Sequence, residues 1–199
     1  GALTLTAIDS YGGDTTVNAG TLALGMSGSI SNSPTITLNS NAIFDVSAVS
    51  GGFWLGRPQT LQGSGAVTGN VTAVSGTRIL PGGDYAAGTL TFANNLTLAA
   101  GTTNWFNLVS DTTPGGGTND LIEIAGDLGA NDAVIAVSPL MPLYPGSSYR
   151  LFNYGGVLSG SFAPTVVCAI TNTRYALALS NDTGIVNLNV TSGGASNLV

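Results

Sequence analysis

The sequence predicts an all-β fold built as a parallel β-solenoid, and three observations lead there. Short segments alternate apolar and polar residues between Gly, Asn, Asp or Ser, which gives half-buried strands separated by turns. Apolar-x-apolar units recur after roughly ten residues with glycines in the connecting corners, the arrangement that stacks successive turns about 4.8 Å apart. Helical signals are missing: no long run spaces its apolar residues by three and four, and 29 glycines interrupt every candidate. A sandwich calls for longer strands and hairpin turns.

Along the chain the strand-like segments are Leu3-Thr4-Leu5-Thr6, Thr21-Leu22-Ala23-Leu24 and Thr35-Ile36-Thr37-Leu38, then Thr89-Leu90-Thr91-Phe92, Asn95-Leu96-Thr97-Leu98 and Ile185-Val186-Asn187-Leu188-Asn189-Val190. In each, the larger apolar residues fall on every second position, so one face can be buried while Thr or Asn meets water. Thr suits the outer face because its branched β-carbon favours extended backbone. The 199 residues require only one core. Residues 1–110 are expected to form solenoid repeats, and 111–199 a β-rich continuation or cap of the same solenoid. The second part is expected to be less regular, because Asp111-Thr-Thr-Pro-Gly-Gly-Gly-Thr-Asn119 reads as an inserted loop rather than a corner.

Composition excludes several function classes. Charged residues make up only 7% of the chain, so its polar surface must consist of Thr, Ser, Asn and backbone. The four cations are Arg57, Arg78, Arg150 and Arg174, there is no Lys or His, and the net charge is −6. Nucleic acid and anionic membranes both require clustered cations, so neither is an expected partner. No segment approaches the ~18 consecutive apolar residues that span a bilayer, which argues against membrane insertion. A Lys-free acidic surface rich in Thr and Asn points to an exported, extracellular or cell-surface protein, and the start at Gly1 suggests a product processed from a longer precursor. The single cysteine, Cys168, lies among Val166, Val167, Ala169 and Ile170 and reads as a buried small hydrophobe.

The residues also carry a resemblance. Gly1-Ala-Leu-Thr-Leu-Thr-Ala-Ile-Asp-Ser-Tyr11-Gly-Gly-Asp-Thr-Thr-Val-Asn-Ala-Gly20-Thr-Leu-Ala-Leu-Gly25 resembles the autotransporter-associated β-strand repeat, with Ala7 and Asp9 departing from its usual Gly and Asn. Gly63-Ser-Gly-Ala-Val67-Thr-Gly-Asn-Val71, Gly76-Thr-Arg-Ile-Leu80-Pro-Gly82 and Gly88-Thr-Leu-Thr-Phe92 look like the segments that follow such repeats in bacterial surface proteins. The resemblance implies a right-handed parallel β-helix, exported and often adhesive or matrix-forming.

Without His, a Ser-His-Asp or Cys-His arrangement is impossible, and a lone Cys excludes cysteine-cluster metal sites. No catalytic residue, cofactor or resident metal is expected, and the chain does not read as an enzyme. The alternative is a polysaccharide-binding or polysaccharide-cleaving β-helix using Glu123, the only glutamate, with Asp120 or Asp127. In Leu121-Ile122-Glu123-Ile124 the isoleucines point inward and Glu123 outward. The loop from Asp111 to Asp120 offers hard oxygen ligands for calcium but reads more simply as a flexible glycine-rich loop. The pairs Gly12-Gly13, Gly51-Gly52, Gly82-Gly83, Gly155-Gly156 and Gly193-Gly194 read as turns, and the Asn-x-Ser/Thr matches at Asn70, Asn95, Asn181 and Asn189 as chance. Phe53-Trp54, Trp105-Phe106, Tyr144, Tyr149, Phe152 and Tyr154 are either core or a sugar-binding surface.

A solenoid leaves unpaired backbone groups and an open apolar cross-section at each end. Neither end of this sequence carries a visible helical cap. Either the chain is cut from a longer solenoid, or its open ends pair with further copies; the favoured expectation is the second, with the chain itself as partner, joined head to tail into a filament through Leu3 and Leu5 at one rim and Ile185, Leu188 and Val190 at the other. Cell-surface or matrix glycans are the second expected partner.

Overall fold

A computed structural model of the chain describes residues 1–169 and 175–193; Ile170, Arg174 and Gly194 lie outside the described residues. The chain winds as stacked parallel coils. The first coil carries β1 (Ala2–Leu5) and β2 (Thr15–Val17), the second β3 (Gly20–Leu24) and β4 (Thr35–Leu38). A third side is then added, with β5 (Ala42–Asp45), β6 (Phe53–Leu55) and β7 (Thr60–Gly63). β8 (Ala66–Thr68), β9 (Val71–Ala73) and β10 (Arg78–Pro81) follow, and above them β11 (Thr89–Phe92), β12 (Leu96–Leu98) and β13 (Thr103–Leu108). β14 (Leu121–Ile124) leads into the long β15 (Leu128–Pro139). β16 (Ser148–Tyr154), β17 (Leu158–Phe162) and β18 (Val167–Cys168) form the last parallel coil, and β19 (Tyr175–Asp182) and β20 (Ile185–Ser192) an antiparallel hairpin.

Sheet I runs β1-β3-β5-β8-β11-β14-β16-β20-β19. Sheet II stacks β2-β4-β7-β10-β13-β15, and sheet III stacks β6-β9-β12-β15-β17. β15 belongs to both because it turns a solenoid corner within one strand: its register shifts between Asn131 and Ala133, where Asp132 takes φ 54°. The parallel register passes residue 110 without a break, from β11 to β14 and from β13 to β15.

The alternation read from the sequence builds the core. Leu3, Leu22, Phe44, Val67, Phe92, Ile124 and Tyr154 lie one above another along sheet I. Phe44, Val67 and Phe92 are fully buried, while the Thr residues between them face outward. In-register stacking repeats each apolar contact from coil to coil, so every internal coil shields its neighbours from water. The glycines sit where backbone passes close to backbone. At Gly63, with φ 109°, a Cβ would collide with the Leu38 carbonyl oxygen of the coil below.

The two rims differ, which corrects part of the expected self-association surface. At the N-terminal rim, among the described residues, β1 pairs only with β3 and β2 only with β4. Leu3 is 60% exposed and Leu5 half-buried, and a hollow of about 620 Å³ opens between them and Tyr11. At the other end β20 lies between β16 and β19, with Leu188 and Val190 in the core and Ile185 half-buried. The antiparallel hairpin satisfies both edges of β20, so among the described residues these form no open rim, and the edge left unpaired there is that of β19.

Candidate functional site

One corner of the solenoid, where the chain passes from sheet II to sheet I, carries long loops in the later coils. Between β7 and β8 it is only Ser64-Gly65, but between β10 and β11 it spans 82–88, between β13 and β14 109–120, and between β15 and β16 140–147. Insertions at equivalent positions of a solenoid collect on one edge, the edge such folds commonly use for binding.

A buried clasp ties these loops together. Asp120 is fully buried; its Oδ1 accepts from the Gly88 amide (2.8 Å), and its Oδ2 from the Asn107 amide (2.7 Å) and the Asn107 Nδ2 (3.0 Å). Asn107 is buried as well, although it occupies an outward position on β13, because the 82–88 loop folds across it. Its Nδ2 donates to the carbonyls of Gly83 (2.9 Å) and Ala86 (3.4 Å). Burial pushes the Asp120 carboxyl up to about 8, against the opposing pull of the N–H donors of Asn107 and Gly88. Asn119 organises the 109–120 loop: its Oδ1 accepts from the Val109 amide, and its Nδ2 donates to the carbonyls of Asp111 and Thr113. Asp111, at the loop surface, accepts from the Thr113 hydroxyl and amide, which hold its carboxyl below the usual range. The glycine-rich stretch is thus a bonded loop rather than a slack one. Asp120 and Asn119, two of its candidate calcium ligands, instead bond to amides and carbonyls of the chain.

Beside this clasp lies a hollow of about 270 Å³, lined by Arg78 from β10, Asp84 and Tyr85 from the 82–88 loop, Trp105 and Asn107 from β13, Ser138 and Ala169. The Arg78 guanidinium carbon stands 5.4 Å from the centre of the Trp105 ring. Tyr85 is 83% exposed and takes φ 59°. Of these residues only Trp105 stands out in the sequence by type and place. Tyr85 was legible only as a residue following Gly82-Gly83, a pair that reads as a turn.

The candidate carboxylates are not brought together. Glu123 is half-buried on the outer face of sheet I, in register with Thr91 below and Asn153 above, whose Nδ2 lies 3.4 Å from its Oε1. Asp120 is held inside the clasp. Asp127 lies at another corner, in a ladder where each side chain accepts an amide of the next coil: Asn70 Oδ1 from Asn95, Asn95 Oδ1 from Asp127, Asp127 Oδ1 from Val157. The paired geometry of glycoside hydrolysis is not formed by these groups.

The aromatic candidates divide. Phe53, Phe106, Tyr149 and Phe152 are core; Phe53 packs edge-on to Phe44 and Phe106 to Phe152. Tyr154 packs against the core with its hydroxyl donating to the Asp182 carbonyl, while Trp54 and Tyr144 are exposed. Cys168 is half-exposed on β18, not buried as expected, because the short β18 lies at the end of its sheet, on β15.

No family model matches the chain. Over 161 residues, 80% of its length, the chain is 40% identical to part of the Adhesin BmaC autotransporter of Brucella suis biovar 1 (strain 1330). It spans 4% of that protein's length. The chain is thus similar, over most of its coils, to a stretch of an autotransporter adhesin.

Proposed function

We propose that the chain is a non-enzymatic adhesive section of an exported surface protein, in which the parallel stack supplies rigid length and the enlarged corner presents the contact surface. The observation that carries this reading is the row of long loops at one corner, 82–88, 109–120 and 140–147, in successive coils above the two-residue Ser64-Gly65 connection. The similarity to an autotransporter adhesin supports the same reading and an extracellular or cell-surface location. Cleavage of a polysaccharide is disfavoured because Glu123 has an amide, not a second carboxylate, as its neighbour across the ladder.

End-to-end association of copies belongs to the same proposal. Among the described residues sheet I ends in unpaired edges at β1 and β19, and β19, antiparallel to an antiparallel strand, runs in the direction of the stack. An edge of that direction can receive β1 of a second copy as a further parallel strand.

Beads coated with the chain test the adhesive reading. Retention on cell layers and matrix-coated wells, lost when the 82–88 and 109–120 loops are shortened to Ser-Gly, is expected. Retention equal to albumin-coated beads on every surface, or release of sugar fragments from a glycan panel, would overturn it.

A further inference from the structure

We infer that the hollow between Arg78, Tyr85 and Trp105 is a binding subsite for one neutral pyranose residue of a glycan. The inference rests on the adhesive reading and names the chemistry of its contact surface.

The hollow combines what a sugar ring requires. A pyranose has an apolar C–H face and a rim of hydroxyls that both donate and accept. Trp105 and Tyr85 supply aromatic surface for the face, Arg78 supplies donors, Asp84 an acceptor, and Ser138 a hydroxyl that does either. At about 270 Å³ the space falls just below the range of drug-sized ligand sites, which suits a single ring. A net charge of −6 with no Lys or His, and Asp84 within the hollow, select against a polyanionic glycan.

The manner in which Tyr85 is held points the same way. A tyrosine in the left-handed region is strained, and one that leaves its ring 83% in water gains little from packing. Folding alone gives no reason for that arrangement. Yet the loop bearing it is fastened by buried polar groups: Asn107 Nδ2 to Gly83 and Ala86, and Asp120 Oδ1 to Gly88. The fold fastens the backbone of the loop that carries this exposed aromatic ring before any ligand arrives, which lowers the entropy cost of ordering the loop on binding.

The chain has two tryptophans, so Trp54→Phe leaves Trp105 as the sole indole reporter. The probes are the methyl glycosides of glucose, galactose, mannose and N-acetylglucosamine, titrated into this variant. Saturable change in Trp105 emission with at least one probe is expected. Adding Tyr85→Ala should weaken that response about tenfold, the worth of one aromatic contact, with the thermal midpoint unchanged. Arg78→Gln should weaken it too. No saturable response to any probe, or equal affinity after Tyr85→Ala and Arg78→Gln, would overturn the inference. Beads that still adhere while no glycoside binds would reject this subsite and leave the adhesive reading standing; glycoside binding without adhesion would do the reverse.

Discussion

The carboxyl group of Asp120 receives both the backbone amide and the side-chain amide of Asn107, at 2.7 and 3.0 Å, and through them joins corner loops of successive coils. Its other oxygen takes the Gly88 amide, so replacing Asp120 by Asn must set an NH2 group against an N–H donor in either orientation. Asp120→Asn should therefore lower stability by about 1–3 kcal/mol, the cost of leaving buried donors unmatched. Chemical denaturation of the two proteins measures it; equal midpoints would mean that the clasp contributes nothing.

The same group makes stability depend on pH. Burial raises the folded carboxyl to about 8, whereas the unfolded chain releases that proton near 3.8. Between these values the folded state binds more proton than the unfolded one, so stability falls as pH rises and the loss is complete above about 8. Asp111 acts in the opposite sense, since its lowered value removes stability only on acidification below 3.8. The thermal midpoint should decline from pH 4 to pH 8, and the decline should flatten in Asp120→Asn. A midpoint that rises over this range would show that the three N–H donors outweigh desolvation and keep the carboxylate ionised.

Position in the stack sets the cost of losing an apolar side chain. Phe92 is fully buried between Val67 and Ile124, and Phe92→Ala should cost about 3–5 kcal/mol. Leu3 occupies the same column but is 60% exposed at the rim, and Leu3→Ala should cost less than about 1 kcal/mol. Urea midpoints of the two variants would separate these cases, and similar losses would contradict the open rim.

Much of the fold was legible because alternation is a local property. Thr35-Ile36-Thr37-Leu38 states which side is buried, and Ile36 and Leu38 are indeed at 0% exposure. What the sequence hides is pairing across coils. Ile185 to Val190 alternates as well as any parallel strand, and the antiparallel hairpin that buries Leu188 and Val190 is marked locally only by the two-residue Thr183-Gly184 connection, where Gly184 takes φ 80°. Asp120 and Asn107 are likewise ordinary polar residues until the stack brings them to 2.7 Å. The Tyr85 hollow stayed invisible because its walls come from β10, β13 and β15, joined only by winding.

The edge of β1 permits a test of self-pairing that spares the fold. The Thr21 amide donates to the Gly1 carbonyl and the Gly25 amide to that of Leu5, so odd-numbered residues of β1 face β3. Backbone groups alternate in direction along a strand, and Ala2 and Thr4 therefore turn N–H and C=O toward the open edge. Thr4→Pro removes one outward donor without breaking a bond to β3, and proline is tolerated on an edge strand. Sedimentation velocity across a concentration series should show association of the parent chain and its loss in Thr4→Pro, with thermal midpoints within a few degrees of each other. Association that survives Thr4→Pro would move the contact away from β1, and a parent chain monomeric at every concentration would remove end-to-end pairing between copies.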